Sequence, residues 1–146
     1  MQELLTIKLH DYLAVHHPDL LLALAEEQKA EVYIKEKVEA LSDELNTMLA
    51  GDTPAYRVEI HCMDILIQSF GPSKYDYIYN LLEEEFEERF TVLESQGILL
   101  YEIINIIQSC GTLLDTFDDE DKLLHYQITG IIAEYFANTE TVGHGV

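Results

Sequence analysis

The sequence predicts an all-α fold, a single compact domain of about six helices in a bundle-like or irregular array, and three observations carry that prediction. Apolar residues recur at three- and four-residue spacing through every long segment, as in Leu5, Leu9, Tyr12 and Leu13. Helix punctuation stands between the segments at Pro18, Gly51, Thr53-Pro54, Gly71-Pro72 and Gly97. There is no Asn-Gly or Asp-Gly pair to join strands into hairpins.

Helix one covers about Glu3 to His16 and stops before Pro18, because the residue preceding a proline is pushed out of the helical region. His16-His17-Pro18 is then a connector. Helix two runs from about Leu21 to Ala50 on the stripe Ile34, Val38, Leu41, Leu45 and Met48, with Gly51 as its end and Ser42-Asp43 as a candidate break. Helix three opens at Thr53-Pro54, the threonine capping free amides and the proline suiting the first helical position. Tyr56, Ile60, Met63, Ile67 and Phe70 line one face, while Val58 and Ile65 project oppositely and place it between neighbours.

Ser73-Lys74-Tyr75-Asp76 reads as a capping box that opens helix four, which lasts to about Leu93. Helix five follows Gly97, and its run from Ile98 to Ile107 leaves so narrow a polar strip that it should be central, with Ile103, Ile104 and Ile107 deeply buried. The same β-branched run could form a buried strand, but it has no strand partner elsewhere in the chain. Asp118-Asp119-Glu120-Asp121 starts the last helix, where carboxylates cap amides and meet the positive end of the dipole, and Leu124, Ile128, Ile131 and Tyr135 form its stripe. The helical domain spans residues 1–138, and residues 139–146, aperiodic with two glycines, are expected to be a flexible tail. No internal repeat is visible.

Charge is far from ordinary: 28 acidic against 8 basic residues give a net charge of −20. Between Tyr75 and Asp121, Arg89 stands alone among carboxylates, whereas Lys8, Lys29, Lys35, Lys37 and Arg57 lie earlier. Direct nucleic-acid binding is disfavoured, since phosphate neutralisation needs a basic footprint. A basic protein partner is the natural complement, and a homo-oligomer is compatible with the composition. The N-terminus lacks a signal-type apolar core, no stretch approaches the ~20 apolar residues of a membrane span, and two isolated cysteines fit a reducing compartment, so the cytoplasm is the expected location.

No catalytic, cofactor or metal site is expected. The six histidines lack the HExxH spacing, and His61 beside Cys62 points about 100° away on a helix, too far round to act as its base. Asp115 to Asp121 lacks the DxDxDG alternation, and Tyr126 stands where a calcium loop needs glutamate, which leaves helix capping as the better reading. Phosphate-loop, dinucleotide and nucleophile-elbow motifs are absent.

The candidate partner-binding feature is the acidic face of helix four, where Glu83, Glu84, Glu87 and Glu88 fall within an arc of about 140°. Ile78, Tyr79, Leu82, Phe86 and Phe90 occupy the other side. A merely solvated face is the bland alternative. Two like-charge i, i+4 pairs, each unfavourable by ~0.2–0.5 kcal/mol, speak for a use beyond solubility.

At His17-Pro18-Asp19-Leu20, Ala30-Glu31-Val32-Tyr33, Ser73-Lys74-Tyr75-Asp76, Glu85-Phe86 and Leu124-x-Tyr126-x-Ile128-Thr129-Gly130, the chain resembles a family of short helical proteins. That family is a domain of unknown function associated with conjugative transposons of Bacteroidetes. The likeness spans nearly the whole chain, departs over Leu41 to Phe70, and brings no catalytic residues; within it Ser73 reads as a cap and Gly130 as a point of close helix contact. The expected function is a non-catalytic protein-interaction module, accessory to a mobile element. The alternative is an acidic mimic of DNA that occupies the basic groove of a DNA-binding protein, and an enzyme of unidentified type is the third class.

Overall fold

A computed structural model describes the backbone of residues 1–144 and the side chains of residues 1–139. Among the described residues there are nine α-helices and no strand. They are α1 (Gln2–His16), α2 (Pro18–Glu26), α3 (Ala30–Glu39), α4 (Ser42–Ala50), α5 (Ala55–Ser69), α6 (Lys74–Glu85), α7 (Glu87–Ser95), α8 (Leu99–Ser109) and α9 (Lys122–His144), with a 3₁₀ turn at Gly111–Leu114. The all-α expectation holds; the count of about six does not, because two expected helices are interrupted.

The stretch expected as helix two is three helices. Its first break falls at Gln28, which takes a left-handed backbone (φ 59°). Its amide bonds the Ala25 carbonyl at 3.0 Å and the Lys29 amide bonds Leu24 at 2.8 Å, the paired bonds that close a helix end. The second break falls at the anticipated Ser42. Helix four is likewise two helices, cornering at Phe86 (φ −134°, ψ 48°). Helix three begins one residue later than expected: Pro54 is the residue before its first turn, and no side chain caps it. Of the two faces expected to be covered, the side of Val58 is inside with Cys62, Met63 and Leu66, while Tyr56 and Ile60 of the other are exposed.

The chain forms two compact units, Met1–Ser73 and Lys74–Val146. In the first, α1 packs on α2, α3 and α5, and α4 packs on α5, around Leu5, Leu9, Leu13, Ile34, Val38 and Leu45. In the second, α8 is central as expected, packing on α6, α7 and α9. Ile103 is fully buried there, and Ile104 and Ile107 nearly so, with Ile78, Leu82, Ile128 and Ile132 in the same core. The Ser73 hydroxyl donates to the His16 carbonyl at the end of α1. Asp121 caps α9 through the Leu124 amide at 3.1 Å. Added at Gly130, a Cβ would meet nothing within 4 Å, so the close helix contact expected there is not found among the described residues. The tail expected from residue 139 coincides with the last turns of α9 up to His144, and residues 145–146 lie outside the described residues.

The first three helices of each unit, α1–α3 and α6–α8, follow a similar path, a correspondence at odds with the expectation that no repeat exists. The offset is 69 residues, setting Phe86 against His17 and Gly97 against Gln28. His17 (φ −135°, ψ 50°) and Phe86 make the same corner, each amide bonding the carbonyl of Leu13 or Leu82 at 2.9 Å. Gln28 and Gly97 (φ 74°) make the next, with Gly97 on Glu94 at 3.1 Å and Ile98 on Leu93 at 3.1 Å. Leu41 and Cys110 then turn back on Val38 and Ile107, at 3.0 and 3.2 Å. The buried Leu9, Leu13, Ile34, Val38 and Leu45 correspond to the buried Ile78, Leu82, Ile103, Ile107 and Leu114. Beyond this point the units diverge: the 3₁₀ turn stands where α4 would be, and α9 replaces α5. Even so, the His17 and Phe70 rings lie 5.6 Å apart, as Phe86 and Phe136 lie 5.5 Å apart.

Candidate functional site

Glu83 and Glu84 lie in the last turn of α6, and Glu87 and Glu88 in the first turn of α7, so the four expected site residues straddle the Phe86 corner instead of sharing one helix face. All four are exposed. The corner forms because Phe86 turns its ring inward, edge-on to Phe136, while the Arg89 guanidinium lies over the Phe136 ring at 4.9 Å. This stack holds the two helix ends beside a shallow depression of about 340 Å³ lined by Glu85, Phe86, Glu87, Glu88 and Arg89. Electrostatically the pairs are unlike: carboxylates at a helix start meet a positive dipole end, and those at a helix finish meet a negative one.

The first unit carries a larger surface feature that the sequence reading did not single out. A groove of about 740 Å³ runs between α1 and α3. Ile34 and Val38 lie beneath it, 2% and 1% exposed, and its α1 wall includes Thr6, His10 and Ile7, which is 60% exposed. Glu3, Asp11, Glu31 and Glu39 edge it, with Lys35 as the opposing cation. The readable signal was Ile7, an apolar residue two positions off the buried stripe of Leu5, Leu9 and Leu13.

The thiols are poor nucleophiles. Burial pushes the Cys110 thiol up to about 11, and burial with the nearby Glu44 carboxylate raises that of Cys62, so both stay protonated near neutrality. His61 bonds Glu44 at 2.7 Å on the surface while Cys62 is fully buried. Among the described residues, no three His, Cys, Asp or Glu side chains gather as metal ligands, and no helix is long and apolar enough to cross a membrane. Within the acidic run Asp121 caps α9, while Asp118 accepts from the Glu120 amide at 3.0 Å in the turn before it.

Fold and surface together define an acidic, all-helical protein of two compact units whose concave features are edged by carboxylates. The chain belongs to the family described as Domain of unknown function (DUF1896), which matches residues 4–140. No curated protein and no solved structure matches the chain.

Proposed function

We propose that this protein is a non-catalytic interaction module that binds a basic protein partner. The observation that carries the reading is the charge imbalance: with 28 carboxylates against 8 Lys and Arg side chains, most carboxylates have no cation within the chain to pair with, even if every cation took one. A globular chain that holds such a field opposes its own compaction, a cost that a positively charged partner relieves. The accessory role in a mobile element rests on the resemblance to proteins of conjugative transposons. Mimicry of DNA through Glu83, Glu84, Glu87 and Glu88 is the weaker reading, because the corner at Phe86 replaces the straight row of charges such a mimic would use.

Capture from lysate of the source cells on the immobilised chain tests the proposal. Basic proteins that are retained at about 0.05 M salt and released by about 0.3 M, as screening shortens the range of the field, are the expected result. A captured set that is acidic or neutral, or that resists salt, refutes it.

A further inference from the structure

We propose that the α1–α3 groove of the first unit is the docking site for a basic amphipathic helix of a partner protein; the inference deepens the reading above and rests on it. The repeat supplies the first argument. At the 69-residue offset, Tyr75 and Tyr79 stand where Thr6 and His10 stand, and Ile104 stands where Lys35 does. In the second unit Tyr75 and Tyr79 pack against the core, Tyr79 edge-on to Phe90 at 5.1 Å, and Ile104 is buried. In the first unit Thr6, His10 and Lys35 line a groove over Ile34 and Val38, which are themselves only 2% and 1% exposed, and Ile7 at 60% is its exposed apolar side chain. Equivalent positions thus carry side chains packed on the core in one unit and side chains that line a groove in the other.

Shape and charge then specify the occupant. The groove lies between two helices, whose ridges at three- and four-residue spacing accept the ridge of a third helix; a strand would find no ladder partner there for its backbone. From Gln2 to Asp11 the α1 wall is about 14 Å long at ~1.5 Å per residue, which matches roughly three turns of helix. A groove that exposes Ile7 and is edged by Glu3, Asp11, Glu31 and Glu39 against Lys35 suits leucine-type side chains flanked by lysine or arginine. A second copy of the chain is a poor occupant, because even its lysine-bearing α3 sets Glu31, Glu36 and Glu39 against Lys35 and Lys37.

The test uses a fluorescein-labelled peptide of about 14 residues with leucine and lysine at helical spacing, and its leucine–glutamate counterpart, titrated with the full chain by fluorescence anisotropy. The lysine peptide should bind and the glutamate peptide should not. Filling the groove with the residues of the other unit, Thr6→Tyr with His10→Tyr, should weaken binding about tenfold with helical circular dichroism retained, and the exposed-site variant Ile7→Lys should do the same. Glu3→Gln, Asp11→Asn, Glu31→Gln and Glu39→Gln together should weaken binding about tenfold, while Glu83→Gln, Glu84→Gln, Glu87→Gln and Glu88→Gln together leave it within about twofold. Absence of lysine-peptide binding, or equal binding of the two peptides, overturns the proposal. Undiminished binding in both the filled and the Ile7→Lys variants overturns it as well. Equal loss from both sets of glutamine and asparagine changes overturns the groove but leaves the charge-led reading standing, since that reading is judged separately by lysate capture.

Discussion

Exchanging the residues at the second corner of the two units should move stability in opposite directions. Gln28 holds a left-handed backbone at φ 59° with its side chain exposed, and Gly97 holds the same position at φ 74°. In this region a Cβ costs roughly 1–2 kcal/mol, while glycine gives back about 0.4–1 kcal/mol through the freedom it adds to the unfolded chain. Gln28→Gly should therefore stabilise by about 0.5–1 kcal/mol and Gly97→Ala should destabilise by a similar amount. At Gly97 the penalty is conformational alone, because an added Cβ would meet nothing within 4 Å. With an unfolding entropy of about 2.1 cal/mol/K per residue, either change shifts Tm by about 2–3 °C if the whole chain melts together, and by about 5 °C if its own unit melts separately. Urea titration and calorimetry of both variants measure this. A Gly97→Ala protein as stable as the parent, or a Gln28→Gly protein less stable than it, would refute the corner geometry and with it the repeat.

Two further outcomes follow from the charge and the thiols. Raising salt from about 0.01 to 0.15 M shortens the Debye length from ~30 to ~8 Å and should raise Tm; a fall over that range would mean that attractive pairs outweigh the self-repulsion. The folded chain holds the Cys110 proton more tightly than the unfolded chain does, so stability should be lost as pH rises from 9.0 to about 11, and Cys110→Ala should flatten that part of a Tm-against-pH curve; parallel curves for the two proteins would refute the buried-thiol reading.

What the sequence made legible depended on where the side chain itself carried the structural signal. The corner at His17 could be read because Pro18 follows it, whereas the equivalent corner at Phe86 is followed by Glu87, a residue that helices accept anywhere. Gly97 announced its turn, while Gln28 makes the same turn with a residue type that seldom takes a left-handed backbone, so the turn left no mark in composition. The repeat was hidden for a related reason: equivalent positions keep apolar character without identity, as in Leu9 with Ile78 or Ile34 with Ile103. Helix α8 was legible because its apolar run fills nearly every face. On α5 the sequence offers two apolar stripes, and only tertiary packing decides that Val58, Cys62 and Leu66 go inside and leave Tyr56 and Ile60 out. The acidic residues were found from the sequence, but their arrangement was not, since an arc on a helical wheel presumes one unbroken helix. The α1–α3 groove escaped notice because it exists only between two segments brought together in space.

The break at Phe86 gives the four glutamates a test that an unbroken helix would answer differently. On one continuous helix, Glu83 with Glu87 and Glu84 with Glu88 would be repulsive i, i+4 pairs, and removing either half would relieve both pairs and stabilise the fold. With the corner in place, Glu83 and Glu84 end α6 beside the negative end of its dipole, while Glu87 and Glu88 begin α7 beside the positive end of its own. Each carboxylate at such a helix end is worth about 0.3–1 kcal/mol in one direction or the other. Glu83→Gln with Glu84→Gln should therefore stabilise the protein, and Glu87→Gln with Glu88→Gln should destabilise it, by about 0.5–2 kcal/mol per double change at low salt and less as salt is added. Thermal melts of the two double variants decide the matter. If both melt higher than the parent by similar amounts, the helix runs through Phe86 and the acidic row is a straight face after all.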